Sequence, residues 1–187
     1  MKYPAMRGRA AAGLLLVSAL ALGGCVTDGS TDAAEGIGFR EARYREISAM
    51  QTYRACTADA EKQTESARQR ANSAGYLAAA KLFEQCEANL GPEASQLAPE
   101  ERMRAYAVGI VDYLRGGDVA SARRNLETFK QAFAGHDLSL PDGASFIDTM
   151  DLLTGGIQTG SGEQVALLNV SRALRGEVSR AQFWQHN

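Results

Sequence analysis

The stretch from Pro99 to Phe133, PEERMRAYAVGIVDYLRGGDVASARRNLETFKQAF, predicts two antiparallel helices joined by a short turn. Proline suits the first helical position, where no N–H partner is needed, and the two following glutamates favour the positive helix end. Gly116 and Gly117 end this helix, and Asp118 is a good N-cap for the next. Each helix has one apolar stripe at steps of three and four, formed by Met103, Tyr106, Ala107, Ile110 and Leu114 in the first and by Val119, Ala122, Leu126, Phe129 and Phe133 in the second.

An internal repeat precedes this hairpin. The stripe of an earlier helix matches the second stripe position for position, 43 residues before it, and its members are Tyr76, Ala79, Phe83, Cys86 and Leu90. A hairpin of two helices cannot bury both of its stripes alone, whereas stacked hairpins can. We therefore expect an all-α fold of antiparallel helical hairpins stacked as a short solenoid or bundle.

The flanking regions also have helical patterns. Arg40 to Asn72 contains neither proline nor glycine and predicts one long helix or two abutting ones, and the C-terminal third predicts helices at 144–153, 163–175 and 178–185. The segment from Leu174 to Ala181 repeats the pattern of Leu114 to Ala122 with one glycine fewer, which suggests a truncated third repeat. Phe183 and Trp184 then either cap the open end of the core or anchor a partner.

Seven residues fall at the positions where tetratricopeptide repeats place their two aromatics, their Gly-Asp turn, their small alanine and their second-helix apolar residues: Tyr106, Tyr113, Gly117, Asp118, Ala122, Leu126 and Phe129. The chain resembles that family over about one repeat. The preceding unit has Gln63 and Arg70 at the aromatic positions, and its 43-residue offset exceeds the 34-residue period of the family. A generic bundle of helical hairpins is the alternative.

The resemblance implies a groove for a protein or peptide on the first-helix side. Candidate partner contacts are Tyr106 and Tyr113, with the charged neighbours Arg102 and Asp112. Tyr113 has the alternative of belonging to the core.

The N-terminus predicts export and a lipid anchor. Residues 1–24 combine a basic start with a short apolar run that is too short to span a bilayer, as in a cleaved signal peptide. Leu22-Gly23-Gly24-Cys25 resembles a bacterial lipobox, which implies a lipid on Cys25. Val26, in place of an aspartate, implies the periplasmic face of the outer membrane. An ordinary signal peptide is the alternative.

Residues 25–38 follow as the lipidated cysteine and a polar tether expected to be flexible, and residues 39–187 form the helical domain. Removal of the leader takes away three of the 20 basic residues and none of the 22 acidic ones, which leaves a net charge of −5. This charge does not favour nucleic-acid binding. No cofactor is expected, and the spacing of Asp28, Ser30 and Asp32 fails the calcium-loop pattern, so no metal is expected either.

Cys56 and Cys86 are the only cysteines after Cys25. An exported compartment is oxidising, so a disulfide between two neighbouring helices is expected, with a free buried Cys86 as the alternative. Counted from a turn near Ala74, the two cysteines differ in height by about 9 Å at the rise of an α-helix, a mismatch that a bend or tilt has to absorb.

No catalytic signature is present. His136 and Asp137 adjoin with Ser139 nearby, and Asp148 and Asp151 share a helix face, but neither arrangement alone specifies a reaction. The sequence therefore favours a lipid-anchored adaptor that serves the assembly of outer-membrane proteins, pili, secretion channels or exported polysaccharide systems. An enzyme acting on the cell wall or its glycans and a passive helical spacer are the alternatives.

Overall fold

The structure is a computed structural model that describes residues 29–92, 94–155 and 162–186. Within these ranges the protein is all-α, and no β-strand forms. The helices pack against one another in sequence order. Their bounds are α1 Gly29–Gln69, α2 Ser73–Ala88, α3 Pro99–Arg115, α4 Val119–Ala132, α5 Phe146–Leu153, α6 Gly162–Leu167 and α7 Arg172–His186. The expected signal peptide and Cys25 lie outside the described residues.

Helix α1 begins at Gly29, whereas the sequence pattern predicts its start at Arg40. Residues 29–38, part of the tether expected to be flexible, lie within this helix. No proline interrupts this stretch, and Ala33, Ala34 and Glu35 are strong helix formers. The contacts divide the chain into two units, Met1–Ile37 and Gly38–Asn187. The features described below belong to the second unit.

The turn between α1 and α2 explains how Cys56 and Cys86 form a disulfide. The sequence places this turn near Ala74, but it is centred on Ala71, whose φ is 49°. Ala71 is fifteen residues from each cysteine, so the expected difference in height disappears, and the two Cα atoms lie 5.7 Å apart. Gly75 lies inside the hairpin, where a Cβ would come within 2.9 Å of the Ala67 Cβ.

The α3–α4 hairpin forms as the sequence predicts. Pro99 occupies the first turn of α3, and the Asp118 carboxylate accepts a hydrogen bond from the Ser121 N–H at 2.9 Å. Gly117 has a φ of +86°, a conformation that glycine adopts without strain, and the Asp118 N–H then donates to the Tyr113 carbonyl at 2.9 Å.

The two matching stripes form the core. In each of the last four pairs of the repeat, Ala79 with Ala122 through Leu90 with Phe133, both members are buried. Only the first pair differs, because Val119 is 45% exposed and Tyr76 is half-buried. The second-helix stripe packs with α3 and α5, and the earlier one packs with α1.

Helix α3 is the central helix of this unit. Gly109 lets α2 approach closely, since a Cβ there would lie 2.7 Å from the Phe83 Cβ. Helix α1 also reaches α3, because Arg54 pairs with Glu101 through two hydrogen bonds of 2.7 and 2.8 Å. Helix α4 packs against another side of α3, so most of the α3 surface is covered.

The C-terminal region differs from its prediction. The break expected between two helices near Gly176 is absent, and Gly176 lies inside α7. The break occurs at residues 168–171, where the Ser171 hydroxyl accepts from the Leu174 N–H at 3.1 Å and starts α7. Phe183 and Trp184 are 58% and 72% exposed, so the prediction that they cap the core is wrong.

Candidate functional site

A cleft of about 880 Å³ runs along the remaining free side of α3. Its second wall consists of the loop between α4 and α5 together with Phe146, the first residue of α5. The lining residues on α3 are Glu100, Met103, Arg104, Ala107, Val108, Val111 and Arg115, and those on the loop are Gly135, His136, Asp137, Leu138, Ser139, Leu140 and Pro141.

The α3 wall is apolar along its centre and charged at its ends. Met103 and Ala107 are buried at the base of the cleft, and Val108 and Val111 lie half-buried beside them. These residues recur at helical spacing and so form one continuous strip. A bound chain would therefore contact apolar side chains over about two helical turns.

The loop wall is held by the carboxylate of Asp137. One oxygen accepts hydrogen bonds from the Leu138 N–H at 2.7 Å and the Ile147 N–H at 3.1 Å. The other oxygen accepts from the Ser145 hydroxyl. The Phe146 N–H also donates to the Leu138 carbonyl at 2.9 Å. Contacts within the chain thus fix this wall, because its backbone is tied to the start of α5.

The two ends of the α3 wall have different charge environments. At the N-terminal end, Arg104 and Glu100 face solvent and form a long ion pair of 3.4 Å. At the C-terminal end, Arg115 donates to Asp112 at 3.1 Å and its guanidinium carbon lies 5.6 Å from the centroid of the Tyr76 ring. Arg104 is free to change its partner, whereas Arg115 has a structural role.

All four residues expected to contact a partner are buried: Arg102, Tyr106, Asp112 and Tyr113 are 4%, 4%, 0% and 3% exposed. None of them lines the cleft. Tyr113 lies in the core, as its alternative interpretation predicts. The accessible surface of α3 instead consists of their exposed and half-buried neighbours.

Each of these four side chains has a partner inside the fold. Arg102 pairs with the Glu87 carboxylate and donates to the Ser95 carbonyl. The Tyr113 hydroxyl donates to Glu84. These long-range contacts satisfy polar groups that would otherwise be costly to bury. They connect α2 and the α2–α3 loop to α3.

Burial raises the pKa values of both Tyr106 and Asp112. The Tyr106 hydroxyl donates to Asn125 at 2.7 Å, and burial raises the pKa of Tyr106 to about 12. Burial also raises the pKa of Asp112, although hydrogen bonds from Thr64 and Arg115 oppose this change. Both groups sit in the packed interior, where they connect α3 to α4 and to α1.

The residues considered for catalysis are arranged as follows. His136 Nδ1 lies 3.2 Å from the Ala134 carbonyl oxygen and the ring is exposed at the cleft. Asp148 accepts from the Asn169 N–H at 2.7 Å. The Asp151 carboxylate accepts a hydrogen bond from Lys130 at 2.7 Å. Burial alone would lower the pKa of Lys130, but this contact helps to raise it. The two helix carboxylates thus have separate structural partners.

Two further observations concern metal ions and membrane spans. Among the described residues, no group of three or more histidine, cysteine, aspartate or glutamate side chains is arranged to hold a metal ion. Across those same residues, every helix is too short or too polar to cross a membrane.

Sequence reasoning missed the cleft, although α3 contains a signal for it. Val108 and Val111 are apolar residues outside the stripe that faces α4.

Comparison of the chain with protein-family models, with curated proteins and with solved structures gave no match.

Proposed function

We propose that this protein is a lipid-anchored adaptor of the bacterial envelope whose α3 cleft binds a segment of a partner protein. The observation that carries the proposal is the cleft itself, with its apolar centre and charged ends. It lies on the first-helix side of the α3–α4 hairpin, where the resemblance to tetratricopeptide repeats implies a groove.

The size and rigidity of the cleft support binding of a peptide or a helix. Its volume of about 880 Å³ lies within the range of ligand-binding clefts in proteins. The hydrogen bonds that the Asp137 carboxylate accepts fix the loop wall, so a partner does not lose binding energy in ordering it. An apolar strip with charged ends suits a segment that presents apolar side chains at regular spacing.

The location follows from the N-terminal sequence. A short basic and apolar leader ending in Leu22-Gly23-Gly24-Cys25 supports lipidation of Cys25 and placement on the periplasmic face of the outer membrane. The disulfide between Cys56 and Cys86 fits an oxidising compartment. An adaptor anchored there would serve the assembly or export of envelope components.

A matched pair of valine substitutions tests the proposal. Val108→Glu places a charge on the half-buried strip of the cleft, and Val119→Glu places the same charge on α4 at a valine that is 45% exposed. Both variants are expressed as full chains in the native bacterium, and the proteins that co-purify are identified. We expect Val108→Glu to lose a partner that Val119→Glu retains, with helix content unchanged in both by circular dichroism.

Two results would oppose the proposal. If both variants retain the same partners at wild-type levels, the cleft does not bind them. If the α2–α4 region can be replaced by unrelated helices with no loss of function in the cell, the protein acts as a spacer. A loss of helix content in Val108→Glu would call for Ser139→Trp, which fills the cleft from an exposed loop position.

A further inference from the structure

Helix α7 combines exposed aromatic rings with basic side chains. Phe183 is 58% exposed and Trp184 is 72% exposed, and their rings pack edge to face with centroids 5.4 Å apart. Arg172 and Arg180 are exposed on the same helix. Two exposed rings in contact form an apolar patch, and such patches mark sites that meet another molecule or a membrane, whereas single exposed apolar residues are common.

These four residues share one side of α7. At 100° per residue, Arg180 lies between Phe183 and Trp184 around the helix, and Arg172 is about 20° from Phe183. The opposite side carries Leu174 and Val178, which are half-buried against the small cluster of Leu152, Val165 and Val170. Helix α7 therefore packs on the fold through one apolar side and presents a second, aromatic and basic side outward.

The charge of α7 is opposite to that of the chain around it. Helix α7 contains three arginines and one glutamate, which gives a net charge of +2. The chain without its leader has a net charge of −5. Glu177 pairs with Arg180, but both side chains are more than 60% exposed, so the pair leaves the arginine accessible. An acidic protein with a basic, aromatic helix has one surface suited to an anionic partner.

We propose that the outward side of α7 binds the surface of an anionic lipid bilayer. Tryptophan and phenylalanine favour the headgroup level, where their rings are partly desolvated, and arginine side chains bind lipid phosphates. With fifteen residues α7 is too short to span the hydrocarbon core, so it lies along the surface. None of these α7 residues lines the α3 cleft, so the proposal does not depend on binding there.

The protein carries its own probe, because Trp184 is the only tryptophan in the chain. The full chain, purified as the cell processes it, is mixed with vesicles of phosphatidylethanolamine and phosphatidylglycerol whose acyl chains are brominated near the headgroup. We expect the fluorescence of Trp184 to shift to shorter wavelength and to be quenched. In vesicles of phosphatidylcholine alone, or at high salt, quenching should fall.

Single variants then measure the contribution of each side chain. Arg180→Gln and Arg172→Gln should each lower the ratio of membrane-bound to unbound α7 by about fivefold, as expected for one arginine near an anionic surface. Arg70→Gln, at an exposed arginine outside α7, should leave the ratio unchanged. Phe183→Ser should lower it, whereas Tyr44→Ser, at a ring 72% exposed on α1, should not.

Two outcomes would overturn the proposal. Emission typical of exposed tryptophan, with no quenching in the anionic brominated vesicles, would show that α7 does not contact lipid. A blue shift that grows with protein concentration in the absence of lipid would show that a second copy of the chain covers this surface. The wild-type chain decides between these outcomes, so the test does not rely on the folding of any variant.

Discussion

The α3–α4 turn and the segment around Gly176 have similar local sequences but different structures. Leu114 to Ala122 contains Gly116, Gly117 and Asp118 and forms a tight turn, whereas Leu174 to Ala181 contains only Gly176 and continues as helix. In the first case a glycine at positive φ is followed by an N-cap side chain. A turn thus requires both residues, because one glycine inside a helix costs only about 1 kcal/mol.

The same two regions differ in their cores. The cluster around Phe129 has twelve buried members from α2 to α5, including the ring pairs that Phe129 makes with Phe133 and Phe146 at 5.0 and 5.3 Å. Among the described residues, the C-terminal cluster has three, which are Leu152, Val165 and Val170. A helix pair with two matched stripes builds a large core, whereas Leu174 and Val178 of α7 pack on the smaller C-terminal cluster.

The largest effect should come from the core of the first region. Phe129→Ala removes a fully buried ring and should lower the free energy of unfolding by about 3–5 kcal/mol. Leu152→Ala, in the smaller cluster, removes a smaller side chain and should cost about 2 kcal/mol. Urea denaturation of both variants measures the difference. An equal or larger loss for Leu152→Ala would contradict the contrast between the two cores.

Reduction of the disulfide should have the next largest effect. Cys56 and Cys86 are 30 residues apart in sequence, and opening a loop of this length should lower the free energy of unfolding by about 3–4 kcal/mol. Urea denaturation with and without dithiothreitol measures this loss. The double variant Cys56→Ala Cys86→Ala is the control, since its stability should not respond to the reductant. Equal stability of the reduced and oxidised chains would indicate that α1 does not depend on the bridge.

The smallest expected changes in the free energy of unfolding have opposite signs at Gly117 and Gly176. Gly117→Ala should lower the free energy of unfolding by about 1–2 kcal/mol, because an L-residue is strained at a φ of +86°. Gly176→Ala should raise it by about 1 kcal/mol, because alanine favours the helix. A Cβ would meet nothing within 4 Å at either position, so only the backbone conformation differs. Thermal unfolding of both variants checks the signs, and destabilisation by Gly176→Ala would mean that a turn forms there.

The sequence predicted the helices that carry a clear apolar stripe. The spacing of apolar residues and of glycines predicts the α3–α4 hairpin, its capping residues and the buried repeat. These features depend on residues only a few positions apart in sequence. Spacing gave the wrong turn before α2, since Gly75 allows the close approach of Ala67 and Ala71 adopts the positive φ. A glycine used for packing and a glycine used for a turn look alike in sequence.

The candidate site was harder to predict because it depends on contacts between distant segments. Arg102 and Asp112 were expected on the surface, but Glu87 and Thr64, 15 and 48 residues away, make their burial favourable. The loop wall depends on Asp137 reaching the backbone of Ile147. Such pairings follow no period, so local pattern cannot locate them.

Site-specific photo-crosslinking in living cells can detect a protein bound at the α3 cleft. A photoreactive amino acid replaces Arg104 at the cleft in one variant and the exposed Arg124 on α4 in the other. We expect a discrete crosslinked protein from position 104 and none from position 124. Crosslinks from position 124 alone, or none from either position although both variants fold, would contradict it.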